Sequence, residues 1–170
     1  LVFPLIDKSK EIKNPEHETT TNENWFGALY YQIIMIKEKN TTYYTLLGWD
    51  GNNDFTNRKI IEVLYFTDDG KPKFGKNIFK LEDERKKRII FEYSYLASMA
   101  LNFNEKLNMI IYDHLAPSSS RLEGQYQYYG PDFSYDGLYF KNGKWNEEKN
   151  IDVRNPKSKN VRKKNISYTF

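Results

Sequence analysis

Short hydrophobic runs, separated by polar or turn-forming residues, make up most of this chain from residue 25 to residue 148. Aromatic and β-branched residues dominate the runs, and this composition favours strands of a half-buried sheet over helices. No interior segment shows convincing helical periodicity. The runs predicted as strands are WFGALYYQIIMIK, TYYTLLGW, KIIEVLYF, KNIFKL, RIIFEYSY, SMALNF, NMIIYDHL, GQYQYY and GLYFKNGKWNEE.

Turn-forming residues fill most of the gaps between these runs. The pair Asn142-Gly143 is the strongest short-range hairpin signal, because both central residues of a type I′ turn need a positive φ. The charged stretch LEDERKKR (81–88) is interpreted as an exposed connector rather than a helical turn. The sequence therefore predicts an all-β domain with little helix, in which an antiparallel meander is closed as a barrel, a sandwich or a strongly curled sheet.

Changes in composition along the sequence divide the chain into three parts. Residues 1–24 form an N-terminal strand and a polar lead-in: Leu1 to Ile6 is apolar enough for a strand or an inserted segment, and the rest is a long loop. Residues 25–153 form the β domain. Residues 154–170 form a basic tail with six basic residues and no acid between Arg154 and Lys164. We interpret it as a solvated tail that ends in an edge strand, ISYTF; the alternative is an arm for phosphate or acidic lipid.

Composition narrows the possible partners. The net charge of +3 is too small to indicate a nucleic-acid partner. The absence of cysteine excludes disulfides and thiolate catalysis, and no apolar run approaches the ~20 residues of a membrane span.

The 14 Tyr exceed what a core usually takes, so some should line a groove or an interface. The three tryptophans are predicted to anchor the core, at Trp25, Trp49 and Trp145.

The segment DGNNDF (50–55) places oxygen-bearing side chains at every second position, Asp50, Asn52 and Asp54. Such side chains suit calcium, which takes six to eight oxygen ligands. The EF-hand pattern fails, however, because Phe55 stands where glycine is needed and Ile61 where the bidentate glutamate is needed. Asp-Gly and Asn-Asn are also turn formers that bond local backbone amides. The turn is the preferred interpretation, and a cation site of another type is the alternative.

The segment YGPDFSYDG (129–137) is a second concentration of polar chemistry. Two carboxylates four residues apart, Asp132 and Asp136, stand among tyrosines that include Tyr129 and Tyr135. Carboxylates beside aromatic faces can bind a sugar, or can perform acid and base work on a glycosidic bond. A structured loop in which each Asp caps a turn is the simpler interpretation. The ligand-binding hypothesis names Tyr129, Asp132, Tyr135 and Asp136.

His114, in YDHLAPSSS, is the one histidine within a predicted ordered region. A hydrolase would use His114 as a base and one serine of 118–120 as a nucleophile. Asp113 is poorly placed to orient the ring, because adjacent strand residues point to opposite faces. The catalytic candidates are therefore His114, Asp132 and Asp136.

Two acids lie inside apolar strands, Glu62 and Glu92. A buried carboxylate without a partner would cost several kcal/mol, so we expect both on the solvent face of their strands, opposite a Lys or Arg. The alternative is a pair of perturbed carboxylates in a cavity.

Several segments together resemble a family of uncharacterised secreted proteins of Bacteroidota, over residues 1–156 and in the same order. They are NWFGALYYQII, YYTLLGWDGNN, RKIIEVLYF, RIIFEYSYLASMALNF, IIYDHLAPSS, LEGQYQYYGPDFSYDG and WNEEKNIDVRNP. In that family such a domain is the C-terminal part of a longer chain with a signal peptide. The resemblance implies an exported protein, periplasmic or associated with the outer membrane. No activity or cofactor is assigned to that family, so the resemblance assigns no functional residue to this chain. The start LVFPLIDK, without Met or a signal-peptide pattern, agrees with a mature or trimmed fragment.

Three functions follow as hypotheses. The first is a non-catalytic β domain of an exported envelope protein, which binds a protein or glycan partner through an aromatic-rich surface. The second is a hydrolase with His114, Asp132 and Asp136 gathered in one pocket. The third is a glycan-binding module supported by calcium at Asp50, Asn52 and Asp54; without that calcium no cofactor is expected.

Overall fold

The computed structural model describes residues 2–38, 41–82, 84–153 and 166–168. It confirms an all-β protein whose helical content, within those residues, is limited to short 3-10 turns at Asn22–Asn24, Ser120–Leu122 and Tyr126–Tyr128. The strands are β1 (Thr20–Thr21), β2 (Leu29–Glu38), β3 (Thr41–Asp50), β4 (Thr56–Phe66), β5 (Pro72–Phe74), β6 (Phe79–Leu81), β7 (Glu84–Lys86), β8 (Arg88–Ser94), β9 (Leu101–Asn104), β10 (Met109–Pro117), β11 (Tyr129–Lys141), β12 (Lys144–Glu148) and β13 (Ile166–Tyr168).

The strands form two sheets. The first has the order β1-β5-β4-β3-β2-β13, and β8 also pairs with β4. One edge of β4 is thereby shared, since β8 pairs with Thr56 to Glu62 and β5 with Leu64 to Phe66. The second sheet has the order β7-β6-β12-β11-β10-β9. Every pairing is antiparallel except that of β12 with β6.

Both sheets turn one face toward a common hydrophobic core. The first sheet contributes Ile34, Ile36, Tyr43, Leu47, Ile61, Val63, Ile89 and Tyr93, and the second contributes Phe79, Leu101, Phe103, Ile110, Tyr112, Leu138 and Trp145. A side-chain hydrogen bond also crosses between the sheets, from Trp145 Nε1 to Thr45 Oγ1 at 3.0 Å. Of the three expected closures, the barrel is not formed by the described strands, since neither sheet closes on itself.

Side chains, rather than a continuous ladder, join the two sheets where β2 approaches β9. The Tyr31 hydroxyl donates to the backbone oxygen of Leu101, and Gln32 Oε1 accepts from the backbone N–H of Phe103. These bonds satisfy backbone groups on an edge strand, which would otherwise be open to pairing with another chain.

Several local predictions can be compared directly with the strands. The hairpin is confirmed, since Asn142 (φ 53°) and Gly143 (φ 74°) join β11 to β12. The expected connector at 81–88 instead contains β7, which pairs with β6. The predicted strand GQYQYY is wrong over Tyr126–Tyr128, where a 3-10 turn leaves the tyrosines exposed. Residues 2–6 form no strand.

The polar lead-in covers the outer face of the first sheet. A second cluster there consists of Phe26, Ala28 and Ile60, with Ile12 and Trp25 packed against it. The loop interpretation is correct for most of residues 7–24, but this loop lies on the domain and buries part of β4 and β8.

This cover overturns the expectation for Glu62, which is fully buried rather than on a solvent face. Its carboxylate accepts from Arg88 Nε at 2.5 Å and from the Tyr30 hydroxyl at 2.5 Å. Arg88 also donates to the backbone oxygen of Pro15 in the lead-in. Burial raises the pKa of Glu62, and the charge of Arg88 opposes that shift.

Glu92 lies on the same face of the sheet as Glu62 but remains partly exposed. It pairs with Arg58 at 2.9 Å, its register partner on β4. The expectation of a basic residue opposite each acid is therefore correct. How exposed each carboxylate is depends on whether the lead-in covers that part of the sheet.

The tryptophans occupy different depths. Trp145 is fully buried in the common core, whereas Trp25 is half-buried against the second cluster and Trp49 is half-buried in β3. The basic residues 154–164 lie outside the described residues. Ile166–Tyr168 pair with Ile34 to Ile36 of β2, which agrees with an edge strand.

No helix in the described part of the chain has the length and apolar character needed to cross a membrane.

Candidate functional site

Loops from both sheets meet at one end of the molecule. The β3–β4 loop contacts the β8–β9 loop through a hydrogen bond from Tyr95 N to Phe55 O at 3.0 Å. The β8–β9 loop in turn contacts β10, where Asp113 N donates to Ala100 O at 3.1 Å. Both polar segments noted in the sequence, DGNNDF and YGPDFSYDG, therefore lie at this end. Loops supported by a rigid sheet are a common location for binding residues.

An open cleft of about 420 Å³ lies between these loops. Its lining combines an aliphatic side chain, tyrosines, an amide, a hydroxyl and a carboxylate, contributed by Leu96, Ser118, Gln127, Tyr128, Tyr129 and Asp132. No Lys or Arg of the described residues lines it. Leu96 is 80% exposed and Tyr128 is 45% exposed, so the apolar part of the lining is available to a ligand.

A wide bulge between β10 and β11 forms one wall of the site. The register moves from Asp113 opposite Tyr135 to Leu115 opposite Pro131, so His114 alone faces the three residues Asp132, Phe133 and Ser134. Phe133 adopts a positive φ of 70° and is 93% exposed. Bulges re-aim side chains and are frequent beside functional sites.

Asp132 closes the bulge through local hydrogen bonds. Its Oδ1 accepts from the Ser134 hydroxyl at 2.7 Å and from the Ser134 backbone N–H at 2.9 Å. These bonds lower the pKa of Asp132, and the nearby His114 acts in the same direction. The carboxylate is exposed, so the cleft carries a negative charge at neutral pH.

His114 and Asp136 form the closest pair of titratable side chains at this end. His114 Nδ1 lies 2.7 Å from Asp136 Oδ2, and the other carboxylate oxygen accepts from the backbone N–H of Asn150 at 2.9 Å. The Asp136 side chain is only 5% exposed, whereas that of His114 is 42% exposed. Because an ionised carboxylate only accepts, Nδ1 is the donor and Nε2 is the ring nitrogen left for another group.

The Asp113–His114–serine arrangement is not formed. Asp113 Oδ2 accepts instead from the backbone N–H of Ala100 at 2.7 Å, as the alternation of faces along β10 requires. Ser118 lines the cleft, but no hydroxyl of the described residues hydrogen-bonds the His114 ring. Asp136 orients this histidine, and the register of β10 with β11 brings them together.

The four predicted ligand-binding residues separate into three environments. Tyr129 and Asp132 line the cleft. Asp136 is buried behind it and is bonded to His114. Tyr135 precedes Asp136 in β11 and therefore faces the opposite side of the sheet.

Three residues that line the cleft are not among the predicted site residues: Leu96, Gln127 and Tyr128. Leu96 belongs to a loop that is distant in sequence from β11, and the sequence contains no signal for that proximity. For Gln127 and Tyr128 the signal is the tyrosine-rich segment QYQYY with its alternating polar residues. This alternation predicts a strand, whereas the segment forms an exposed turn.

The DGNND loop is held by bonds within itself and to β8. Asp50 Oδ1 accepts from Asn52 N at 3.1 Å, and Asn53 Oδ1 accepts from Thr56 N at 3.0 Å. The Asn52 amide donates to Thr56 Oγ1 and to Glu92 Oε1. No cluster of three or more acidic or histidine side chains with metal-binding geometry exists in the described ranges. These contacts suit the turn interpretation, and the calcium hypothesis remains to be tested.

We expect the thermal midpoint of the protein to be the same in EDTA and in millimolar calcium. A cation that bound only the folded state would raise the midpoint by mass action. Asp50→Ala should instead lower the free energy of unfolding by about 1 kcal/mol, since one loop hydrogen bond is lost. A calcium-specific rise that Asp50→Ala abolishes would show that the loop is a cation site.

Comparison with protein-family models, with curated protein sequences and with solved structures found no match to this chain. The resemblance to secreted proteins of Bacteroidota, and the exported setting that it implies, therefore stay predictions.

Proposed function

We propose that this two-sheet, sandwich-like domain belongs to an exported envelope protein and binds a glycan in the cleft at its loop end. The observation that carries the proposal is the lining of the cleft, where Tyr128 and Tyr129 lie beside Gln127, Ser118 and Asp132. The exported setting rests on the resemblance alone.

The chemistry of the lining favours a sugar. A pyranose ring has an apolar face of C–H groups, which packs on aromatic side chains, and a rim of hydroxyls, which bonds amides and carboxylates. Tyr128 offers the first kind of contact, and Gln127 and Asp132 offer the second. The volume of about 420 Å³ lies within the usual range for small-ligand sites, roughly 300–1,000 Å³.

A negatively charged cleft also limits the class of glycan. The ionised Asp132 repels uronic acids and sulfated sugars, and no Lys or Arg of the described residues lines the cleft to compensate. The ligand is therefore a neutral or amino sugar. A protein partner is the alternative occupant, because exposed Tyr95, next to the lining residue Leu96, extends the apolar surface beyond the cleft.

Native gel electrophoresis through gels that contain soluble polysaccharides tests the proposal. We expect at least one neutral polysaccharide, such as xylan, galactomannan or mixed-linkage glucan, to retard the protein. Tyr128→Ala should weaken the binding that causes this retardation by about two- to tenfold, because loss of an aromatic contact costs roughly 0.5–1.5 kcal/mol.

Phe66→Ala is the matched control. Phe66 is an aromatic residue of similar exposure, 50%, but it ends β4 and does not line the cleft. Its substitution should leave the retardation unchanged. Retardation that is equal in wild type and Tyr128→Ala would place the glycan elsewhere, and no retardation by any polysaccharide would favour the protein partner.

A further inference from the structure

We propose that His114, oriented by Asp136, is a general base that hydrolyses an ester substituent on the glycan held in the cleft. This inference rests on the proposed function and goes beyond the expectation of a non-catalytic domain. It assigns a reaction to the His114–Asp136 pair, which glycan binding alone does not require.

The ring of His114 is fixed for proton transfer. Both oxygens of Asp136 are engaged, one by His114 Nδ1 at 2.7 Å and one by the Asn150 backbone N–H at 2.9 Å. The buried carboxylate is thereby held still, and it holds the imidazole in one orientation with Nε2 free to accept a proton. An activated base of this kind needs an orienting partner and access to the reacting group.

His114 also stands beside the cleft. In the ladder that follows, Pro131, the register partner of Leu115, lines the cleft, and so do both members of the next pair, Ala116 and Gly130. Asp132, on the bulge opposite His114, lines the cleft as well. The histidine side chain is 42% exposed, so a water molecule and a substituent of a bound sugar can reach it.

Other hydrolytic reactions fit this site less well. Glycosidic cleavage needs one protonated and one ionised carboxyl group. Asp132 is held ionised by its hydrogen bonds from Ser134, and Asp136 is committed to His114. A phosphate ester would be repelled by Asp132, and the lining contains no described cation to neutralise it. A neutral carboxylic ester needs only a base and water.

The reaction is written with water as the co-reactant. His114 Nε2 removes a proton from water while the water oxygen forms a bond to the acyl carbon and the carbonyl electron pair moves to oxygen. When the tetrahedral intermediate collapses, the bond from the acyl carbon to the sugar oxygen breaks. The imidazolium returns its proton to that oxygen. The products are a carboxylic acid and a free sugar hydroxyl, with no net redox change.

Release of acetate from acetylated xylan and hydrolysis of p-nitrophenyl acetate test the proposal. We expect wild type to act on both, and His114→Gln to lower the rate by about 100-fold or more, the usual range for a general base. His17→Gln is the matched control, because His17 lies in the lead-in beside Glu84 and away from the cleft. Asp136→Asn should lower kcat with little change in KM, as a positioning role requires.

The outcomes for catalysis and for binding are separable. Retardation by a polysaccharide without acetate release above the blank would overturn the catalytic proposal and leave the binding proposal intact. Equal rates for wild type, His114→Gln and His17→Gln would also overturn it. Hydrolysis of p-nitrophenyl acetate that depends on His114, without retardation by any polysaccharide, would support the catalytic role of His114 and contradict glycan binding in the cleft. An unchanged thermal midpoint of His114→Gln shows that the variant is folded.

Discussion

Arg88→Met is expected to lower the free energy of unfolding by about 3–5 kcal/mol, because it leaves Glu62 buried without its charged partner. Both side chains of this pair are fully buried, and Arg88 Nε lies 2.5 Å from Glu62 Oε2. The substitution also removes the bonds from Arg88 to Pro15 and Thr20, which attach the lead-in to the sheet. Urea denaturation of wild type and variant measures the loss.

The loss should depend on pH in a defined direction. Burial already raises the pKa of Glu62 above its ordinary value of 4.5, and removal of the Arg88 charge raises it further. A folded-state pKa above the unfolded one means that folding takes up a proton. The variant should therefore be relatively more stable near pH 4 and should lose stability as the pH rises through the raised pKa of Glu62.

Two further variants isolate the buried charge. Glu62→Leu with Arg88→Met should recover most of the stability, since apolar residues often replace a buried ion pair at little cost. Arg58→Met breaks a similar cross-strand pair with Glu92, but those side chains are 25% and 21% exposed and solvent screens them. Its cost should be about 1 kcal/mol or less. Equal costs for Arg58→Met and Arg88→Met would show that burial of the charge is not the cause.

Trp145→Ala is expected to lower the free energy of unfolding by about 3–5 kcal/mol, the range for the loss of a fully buried large aromatic side chain. Trp145 is completely buried between the sheets. The centroid of its ring lies 5.3 Å from that of the Phe140 ring and 6.5 Å from that of the Phe103 ring. The variant also leaves the Thr45 hydroxyl without its donor. Chemical denaturation measures the change.

The half-buried Trp25 supplies the comparison for Trp145. Trp25→Ala should cost clearly less, because water already reaches part of that ring. Trp145→Phe should give an intermediate loss, since it keeps an aromatic ring but removes the hydrogen bond to Thr45. Equal effects of Trp145→Ala and Trp25→Ala would contradict a core centred on Trp145.

The strands were predictable because their signal is local. Aromatic and β-branched composition marks β2, β3, β4, β8 and β10, and Asn142-Gly143 marks the β11–β12 hairpin. Which strands become neighbours depends on contacts between distant segments. The division of one β4 edge between β5 and β8 has no counterpart in any local pattern.

For Glu62, the alternation of side chains along β4 predicts the correct face of the sheet but the wrong solvent exposure. The residue lies on the face opposite the common core, as its position in β4 predicts, but the lead-in covers that face. The lead-in appeared to be a simple loop because its sequence is polar. Its role as a cover depends on Ile12, which packs against the cluster that contains Phe26, and on the bond from Arg88 to Pro15.

The candidate site was predictable in its residues but not in its arrangement. The sequence indicates His114, Asp132 and Asp136 because a histidine and two carboxylates stand in segments predicted as a strand end and a loop, whereas the structure places them within β10 and β11. Their pairing required the register of β10 with β11 and a bulge that separates Asp132 from Asp136. A spacing of four residues within one strand would otherwise place both acids on the same face.

Glycan binding in the cleft can be tested most directly by NMR titration of the ¹⁵N-labelled protein with the oligosaccharide repeat of the polysaccharide that retards it. The proposed function predicts that the largest amide shifts fall at the non-proline residues that line the cleft, which are Ser94, Leu96, Ala116, Ser118, 127–130 and Asp132. Tyr128→Ala should reduce those shifts at the same ligand concentration. Shifts confined to the other end of the sheets, or no shifts at saturating ligand, would contradict the assignment of the cleft as the glycan site.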